Sequence, residues 1–312
     1  MVPTSLQEIY DMPHATFVGG GTDLMPLLKQ HVREDSELVF LHRIAELQEI
    51  ALQNEWMYLG SGTMLWELAG HPQLKQHFPA VAQAAAATAS PQIQNIATLG
   101  GNIMQDRRCI YFNQSRYWRS GLPLCFKTGG TVCHQIPNSP VCRAIYYSDM
   151  ATALLLYDAQ AECVEGGVRR WIPLAELIAR HSLANGLSAD ERLRILIIRF
   201  RLPLPPAEEK SGFYKYAMRA SIDFPLINFA LRCRGARPAK LIAGAVAHEP
   251  VELEQTARLL DGQQVSDDEV IAMCQTELKQ LAKSIKESNI SPALKRGLYR
   301  QIATLLPLRR ED

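Results

Sequence analysis

Apolar residues along the chain fall into short runs punctuated by glycine, and these runs predict an ordered series of strands and helices. Ser5 to Tyr10 suits a short helix with Ser5 as its cap, and Ala15 to Val18 reads as a strand leading straight into Gly19-Gly20-Gly21-Thr22-Asp23-Leu24. Leu24 to Gln30 has apolar residues at helical spacing, and Leu38 to Leu41 reads as a second buried strand. A similar unit follows: strand Trp56 to Leu59, turn Gly60 to Thr63, helix Met64 to Ala69. Two strand–glycine–helix units in succession predict an α/β or α+β architecture. An alanine-rich helix from Pro79 to Ala89 stops near Ser90-Pro91, because proline cannot continue it. Ser148 or Asp149 suits the cap of an apolar helix over Met150 to Leu156, and Arg194 to Arg201 reads as a strand.

The clearest boundary lies between Arg201 and Gly212, where three prolines are followed by charged residues. Beyond it, strands are predicted over Phe213 to Met218, Leu226 to Cys233 and Ala239 to Ala247, then helices near 251–261, 267–284 and 291–305. The expectation is α+β: one domain over 1–205 and a smaller one over 210–312, with a three-stranded sheet and helices.

Composition changes this picture little. A chain of 312 residues, 47% hydrophobic, is ordinary for a soluble globular protein with two or three cores. No apolar run reaches eighteen residues, so no membrane span is expected. The N-terminus lacks a basic segment followed by an apolar one, which predicts no secretory signal and a cytoplasmic location. A net charge of +1 gives no reason to expect nucleic acid or a membrane surface as partner. Without a secretory signal, seven cysteines argue against a disulfide scaffold. Cys163, Cys233 and Cys274 are isolated in apolar or amphipathic surroundings and read as small buried hydrophobes.

The other four, Cys109, Cys125, Cys133 and Cys142, lie between 105 and 145 with spacing C-x15-C-x7-C-x8-C. Zinc sites are usually built from tight C-x2-C or C-x4-C knuckles, which these gaps do not form. An iron–sulfur cluster is wider and needs four thiolates spread around it, so a loose loop can wrap it. Zinc or unligated thiols are the alternatives, and His134 is an alternative ligand. The segment carries Arg107, Arg108, Arg116, Arg119, Lys127 and Arg143 against Asp106 alone. These cations suit compensation of an anionic cluster or a face for an acidic partner; a basic loop without a role is the plain alternative. Tyr111, Phe112, Tyr117 and Trp118 are interleaved and suited to shielding it from water.

Two glycine turns carry the other candidate chemistry. Gly19 to Thr22 sits between strand and helix, where main-chain N–H groups can approach a diphosphate, but Leu24 stands where a dinucleotide fingerprint needs its third glycine. Thr98-Leu99-Gly100-Gly101-Asn102 adds a hydroxyl and an amide beside two glycines, about eighty residues on. No residue pair demands general acid–base or nucleophilic work, so no catalytic residue is proposed.

Taken together, GGGTDL, ATLGGN, the Ser148-Asp149 pair before an apolar helix, and Phe213 to Arg219 followed by Asp223-Phe224 resemble the FAD-binding medium subunits of the molybdenum hydroxylase (xanthine oxidase) family. The resemblance spans nearly the whole chain, but most of the strand and helix usual before the first glycine loop is missing. It implies a two-subdomain FAD-binding fold over 1–205, with the cysteine segment as an insert, and a C-terminal domain of the CO-dehydrogenase flavoprotein type. It implies that Gly19, Gly20, Gly21, Thr22 and Asp23 cradle the diphosphate of FAD, and that Thr98, Gly101 and Asn102 lie along its ribityl and diphosphate portion. Asp149 would bond a sugar hydroxyl of the adenosine end and Lys215 would approach the flavin; a helix cap and a solvated strand residue are their plain alternatives. The cysteine spacing resembles that of 4-hydroxybenzoyl-CoA reductase flavin subunits, which implies a 4Fe–4S cluster on Cys109, Cys125, Cys133 and Cys142. The implied partners are a molybdopterin large subunit, a 2Fe–2S small subunit in a dimer of heterotrimers, and ferredoxin or a similar carrier. A flavin subunit for an aldehyde, purine or other heterocycle is the alternative, as is a self-contained flavoenzyme with a zinc-bound or unligated loop.

Overall fold

The computed structural model describes all residues except 11, 13–14, 36, 166, 183–194, 220–221, 262–264, 282–297 and 311–312. The first sheet is a parallel pair, β1 (Thr16–Val18) and β2 (Leu38–Phe40), connected through α1 (Leu24–Lys29). A hairpin follows, β3 (Ile50–Gln53) and β4 (Trp56–Gly60), turned by Asn54 and Glu55 at φ of 48° and 65°. Positive φ at both turn residues matches the twist of the flanking strands.

Short helices then accumulate: α2 (Leu65–Gly70), α3 (Pro72–His77), α4 (Pro79–Ala87), α5 (Pro91–Gln94), α6 (Leu99–Ile103) and, inside the cysteine segment, α7 (Arg116–Ser120). Proline opens α3, α4 and α5, where its missing N–H has no partner to lose. The apolar α8 (Asp149–Leu156) is capped by Ser148, whose hydroxyl accepts from Ala151 N–H at 3.0 Å. Strands β5 (Gln160–Glu165) and β6 (Val168–Pro173), helix α9 (Leu174–Arg180) and strand β7 (Leu196–Pro203) complete this half. The second sheet is antiparallel, in the order β3-β4-β7-β5-β6.

The C-terminal sheet contains β8 (Lys210–Tyr216), β9 (Ile227–Cys233), β10 (Lys240–Gly244) and β11 (Val251–Glu252), and is followed by α10 (Glu254–Leu260) and α11 (Asp267–Leu281). Every residue of β9 is buried. Phe213, Ala230 and Ile242 on one face join the core built on α4 and α8, while Phe229, Leu231 and Leu241 on the other pack with α10 and α11. Small side chains on α4 (Ala80, Ala82, Ala84, Ala85) let the sheet approach closely, and Gln83 accepts from Phe213 N–H at 2.7 Å. One face of the C-terminal sheet therefore joins the core of the first half, and the other builds a second core with α10 and α11.

Several expectations are corrected. The C-terminal sheet has four strands, because Val251 and Glu252 pair with Ala243 and Ile242 before the helix predicted at 251–261 begins. The strand predicted to reach Ala247 ends at Gly244, since Ala245 turns to φ 63°. Strands β3, β5 and β6 were not predicted: β6 carries Arg169 and Arg170 in sequence, and its apolar alternation is weak. Arg194 and much of the helix predicted at 291–305 lie outside the described residues; Arg300–Thr304 forms a 3-10 turn.

Within the last domain, the buried Glu277 of α11 caps α10 from the side. Its carboxylate accepts from Gln255 N–H, Thr256 N–H and Thr256 Oγ1 at 3.0, 3.0 and 2.7 Å. Charge-assisted bonds to buried donors contribute about 1.5–3 kcal/mol. Glu277→Ala is expected to lower unfolding stability by about that amount in urea, with flavin content unchanged.

Candidate functional site

The two glycine turns meet. A Cβ on Gly19 would stand 2.3 Å from Thr98 Oγ1, and one on Gly20 would stand 1.9 Å from the Ile96 carbonyl oxygen. Sequence reasoning assigned these glycines to a diphosphate; the structure gives them a prior duty, which is to let one turn lie on the other. Gly21 adopts the left-handed region at φ 69°, which carries a side chain only under strain. Thr98 caps α6, its Oγ1 accepting from Gly101 N–H at 3.2 Å.

Where the turns meet they wall a cavity of about 1230 Å³, lined by Gly19 through Asp23, Thr98 and Gly101. That exceeds the roughly 300–1,000 Å³ of a typical small-ligand pocket and suits a long dinucleotide. Ile195 and Ile197 supply apolar lining from the β7 side, and Met104 and Phe112 from the other. FAD fits this lining in kind: glycine-rich backbone for a diphosphate, apolar surface for a ring system.

Asn102, Asp149 and Lys215 lie elsewhere than in this lining. Asn102 Oδ1 accepts from Ser148 Oγ at 2.7 Å, joining the second turn to the start of α8. The next residue, Asp149, forms a buried ion pair with Lys215 Nζ at 3.0 Å and accepts from Asn228 Nδ2 at 2.6 Å. Lys215 also donates to the Ala87 carbonyl at 3.0 Å. Burial pushes the Asp149 carboxyl above its ordinary value, and the Lys215 charge and the Asn228 amide only partly offset that. The pair clasps α8 to β8 and β9.

The cysteine insert forms the opposite wall: Asp106, Tyr111, Phe112, Arg116, Cys125, Lys127 and His134 all reach the cavity. Asp23 ties the walls together, accepting from Arg108 Nη2 at 2.6 Å and from Asp106 N–H at 3.0 Å. Burial raises the Asp23 carboxyl, opposed by Arg108 and by the Asp106 N–H. All four cysteines of the insert are free and half-buried. Cys109, Cys133 and Cys142 lie within electrostatic reach of one another, and Cys125 receives a bond from Thr128 Oγ1 at 3.7 Å. Burial pushes the Cys142 thiol up to about 11, although the Ala144 N–H and the Lys127 charge pull it down. Among the described residues no three His, Cys, Asp or Glu side chains converge so as to hold one metal ion. Tetrahedral zinc, with Zn–S bonds of about 2.3 Å, would need sulfurs about 3.8 Å apart.

The insert's cations are mostly spent inside the protein. Arg107 is buried, donating to the carbonyls of His248, His181 and Ile178 and stacking on Tyr146. Arg108 pairs with Asp23, Arg116 with Glu34 and Lys127 with Asp106, while Arg119 donates to the carbonyls of His31 and Val32. Arg143 donates to Ser139 Oγ. The predicted basic face is therefore much reduced. The aromatic shield is also only partial: Phe112 is buried beneath Lys127 and Arg119, but Tyr117 is 90% exposed.

Sequence reasoning missed that Asp106, Tyr111, Lys127 and His134 line the same cavity as the glycine turns. The available signal was proximity in the chain, since Asp106 follows Asn102 by four positions. Among the described residues no helix is long and apolar enough to cross a membrane.

Residues 1–205 match the model of the FAD binding domain in molybdopterin dehydrogenase, and residues 212–304 that of the CO dehydrogenase flavoprotein C-terminal domain. The chain is 28% identical over 274 residues to the aldehyde oxidoreductase FAD-binding subunit PaoB of Escherichia coli K12, covering 84% of each. It is 28% identical over 263 residues to the putative xanthine dehydrogenase FAD-binding subunit XdhB of the same organism, covering 81% of this chain and 75% of that one. Its fold resembles a chain of carbon monoxide dehydrogenase from Hydrogenophaga pseudoflava, with TM-score 0.72 at 16% identity over 99% of this chain and 95% of the other. The chain is an oxidoreductase subunit and belongs to the family of FAD-binding domains of molybdopterin dehydrogenases.

Proposed function

We propose that this chain is the electron-transfer subunit of a molybdenum hydroxylase or dehydrogenase complex, holding FAD in the glycine-walled cavity and a 4Fe–4S cluster on Cys109, Cys125, Cys133 and Cys142. The observation that carries the proposal is the shared cavity, walled by the two glycine turns on one side and by the four-cysteine insert on the other. FAD takes two electrons and releases them singly, and an iron–sulfur cluster passes one at a time. Around them the chain's own residues bind and orient. Gly19 to Asp23, Thr98 and Gly101 shape the diphosphate end, and Asn102 braces the second turn through Ser148. Asp149 and Lys215 hold the C-terminal sheet against α8, behind that turn. Four thiols gathered in one segment suit a cuboidal cluster in kind.

The substrate would react on a partner, a molybdopterin large subunit, with a 2Fe–2S small subunit completing a heterotrimer that pairs with itself. The cysteine spacing favours a 4-hydroxybenzoyl-CoA reductase-like role, with ferredoxin or a similar carrier feeding the cluster. The named relatives favour a second reading, an aldehyde or purine dehydrogenase. With most of the insert's cations paired within the chain, carrier docking would rest on Tyr117, Trp118 and Leu124, which are exposed on the insert.

Iron and acid-labile sulfide in anaerobically purified protein are expected at about four each per chain, with one FAD. In stopped flow, reduced ferredoxin should reduce the flavin faster than NADH does. Iron near zero alongside full flavin would remove the cluster; rapid NADH reduction with no response to ferredoxin would remove the carrier.

A further inference from the structure

We infer that the insert braces the FAD site: Phe112 and Arg119 are positioning residues that lock the far end of α1 and, through it, the first glycine turn. This rests on FAD lying in the cavity and requires nothing of the cysteines. α1 has six residues and runs directly out of that turn, Met25 N–H donating to the Gly21 carbonyl at 2.9 Å. A helix this short is not stable by itself, so its placement must come from packing. Leu27 is its single buried side chain.

The far end closes through His31, which takes the left-handed region at φ 53°. His31 N–H donates to the Leu28 carbonyl and Val32 N–H to the Leu27 carbonyl, at 3.0 and 2.9 Å. Such an ending usually has glycine at the left-handed position and an apolar contact between the two residues that flank the last turn. A histidine stands here instead, at a cost that the surroundings must offset. The apolar contact is present: Leu27 and Val32 form a small core whose third buried member is Phe112 of the insert. Arg119 lies over the Phe112 ring, 5.0 Å from its centre, and its Nη2 donates to the carbonyls of His31 and Val32 at 3.1 and 3.4 Å. A cation on the terminal carbonyls of a helix stabilises that end. At the near end the insert grips Asp23 through Arg108 and the Asp106 N–H. One segment thus holds both ends of α1, and the turn that feeds α1 is held with it.

The experiment is fluorescence titration of full-length apoprotein with FAD, paired with amide hydrogen exchange read by mass spectrometry. Leu27→Ala and Phe112→Leu trim the same contact from its two sides, and each should weaken FAD binding about tenfold. Combined, they should weaken it by clearly less than the product of the two factors, because both break one contact. Arg119→Met should weaken it about threefold to tenfold. In each variant, exchange should quicken across residues 21–33 and keep its wild-type rate in β9, which a general loss of stability would not produce. Wild-type affinity in either Leu27→Ala or Arg119→Met overturns the inference, as do fully multiplicative factors in the double variant or exchange that quickens equally in β9. Should Phe112→Leu fail to fold, Arg119→Met decides alone: weaker FAD with local exchange supports the brace, and unchanged affinity overturns it. Gly20→Ala keeps the two readings apart. If it too binds FAD normally, the placement of FAD against the first turn fails; if it alone loses FAD, only the brace fails.

Discussion

Gly20→Ala is expected to lose FAD about 5- to 150-fold more readily than wild type, whereas Gly70→Ala keeps it. At Gly20 the new methyl carbon would sit 1.9 Å from the Ile96 carbonyl oxygen, a backbone atom that cannot rotate away. The first turn must then lift off the second, and overpacking of this kind costs about 1–3 kcal/mol. Both turns wall the cavity, so the strain falls on the geometry proposed to hold the diphosphate. A loss of 1–3 kcal/mol in binding is that same factor of about 5 to 150 in affinity. At Gly70, in α2, a methyl group meets nothing within 4 Å. There the better helix propensity of alanine should add up to about 1 kcal/mol of stability. Fluorescence titration of apoprotein with FAD measures the first effect and urea unfolding the second. Wild-type affinity in Gly20→Ala would mean that the turns do not act together on the ligand.

What could be read in the sequence follows from range. Glycine turns and helix caps are decided by a few neighbouring residues, and the chain displays them openly. Ser148 capping α8 and the glycine-to-helix passages belong here. The strands β5 and β6 escaped because one face of each depends on distant partners. Arg199 and Arg201 of β7 lie over Trp171 of β6, and Glu162 of β5 accepts from Arg199 at 2.7 Å. Charged residues tolerated by such cation–π and ion-pair contacts erase the alternation that marks a strand. The same limit governs the site. The glycine turns were visible as turns between strand and helix, but their mutual contact at Ile96 and Thr98 was not. The insert's cations were visible as a count. Only the fold reveals that Arg107 is buried among three carbonyls and that Lys127 is matched with Asp106.

Lys215→Met is expected to destabilise the protein by about 3–5 kcal/mol at neutral pH, because it strands the Asp149 carboxylate in the interior. Folded proteins are stable by only about 5–15 kcal/mol, so this is a large share. Asp149 would keep Asn228 Nδ2 as a donor but lose the Lys215 ammonium. Its pKa, already raised by burial, would rise further. The sign of the pH dependence follows. A carboxyl whose folded pKa lies above its unfolded value holds its proton more tightly when folded, so stability grows as pH falls through the folded pKa and levels off below the unfolded one. The deficit of Lys215→Met relative to wild type should therefore shrink on acidification. Asp149→Asn combined with Lys215→Met should recover much of the loss at neutral pH, since no buried charge is then left without its partner. Urea unfolding of the wild type and both variants across the mildly acidic range checks this. A deficit that widens as pH falls, or a double variant no better than the single one, would show that the clasp acts through packing and not through charge.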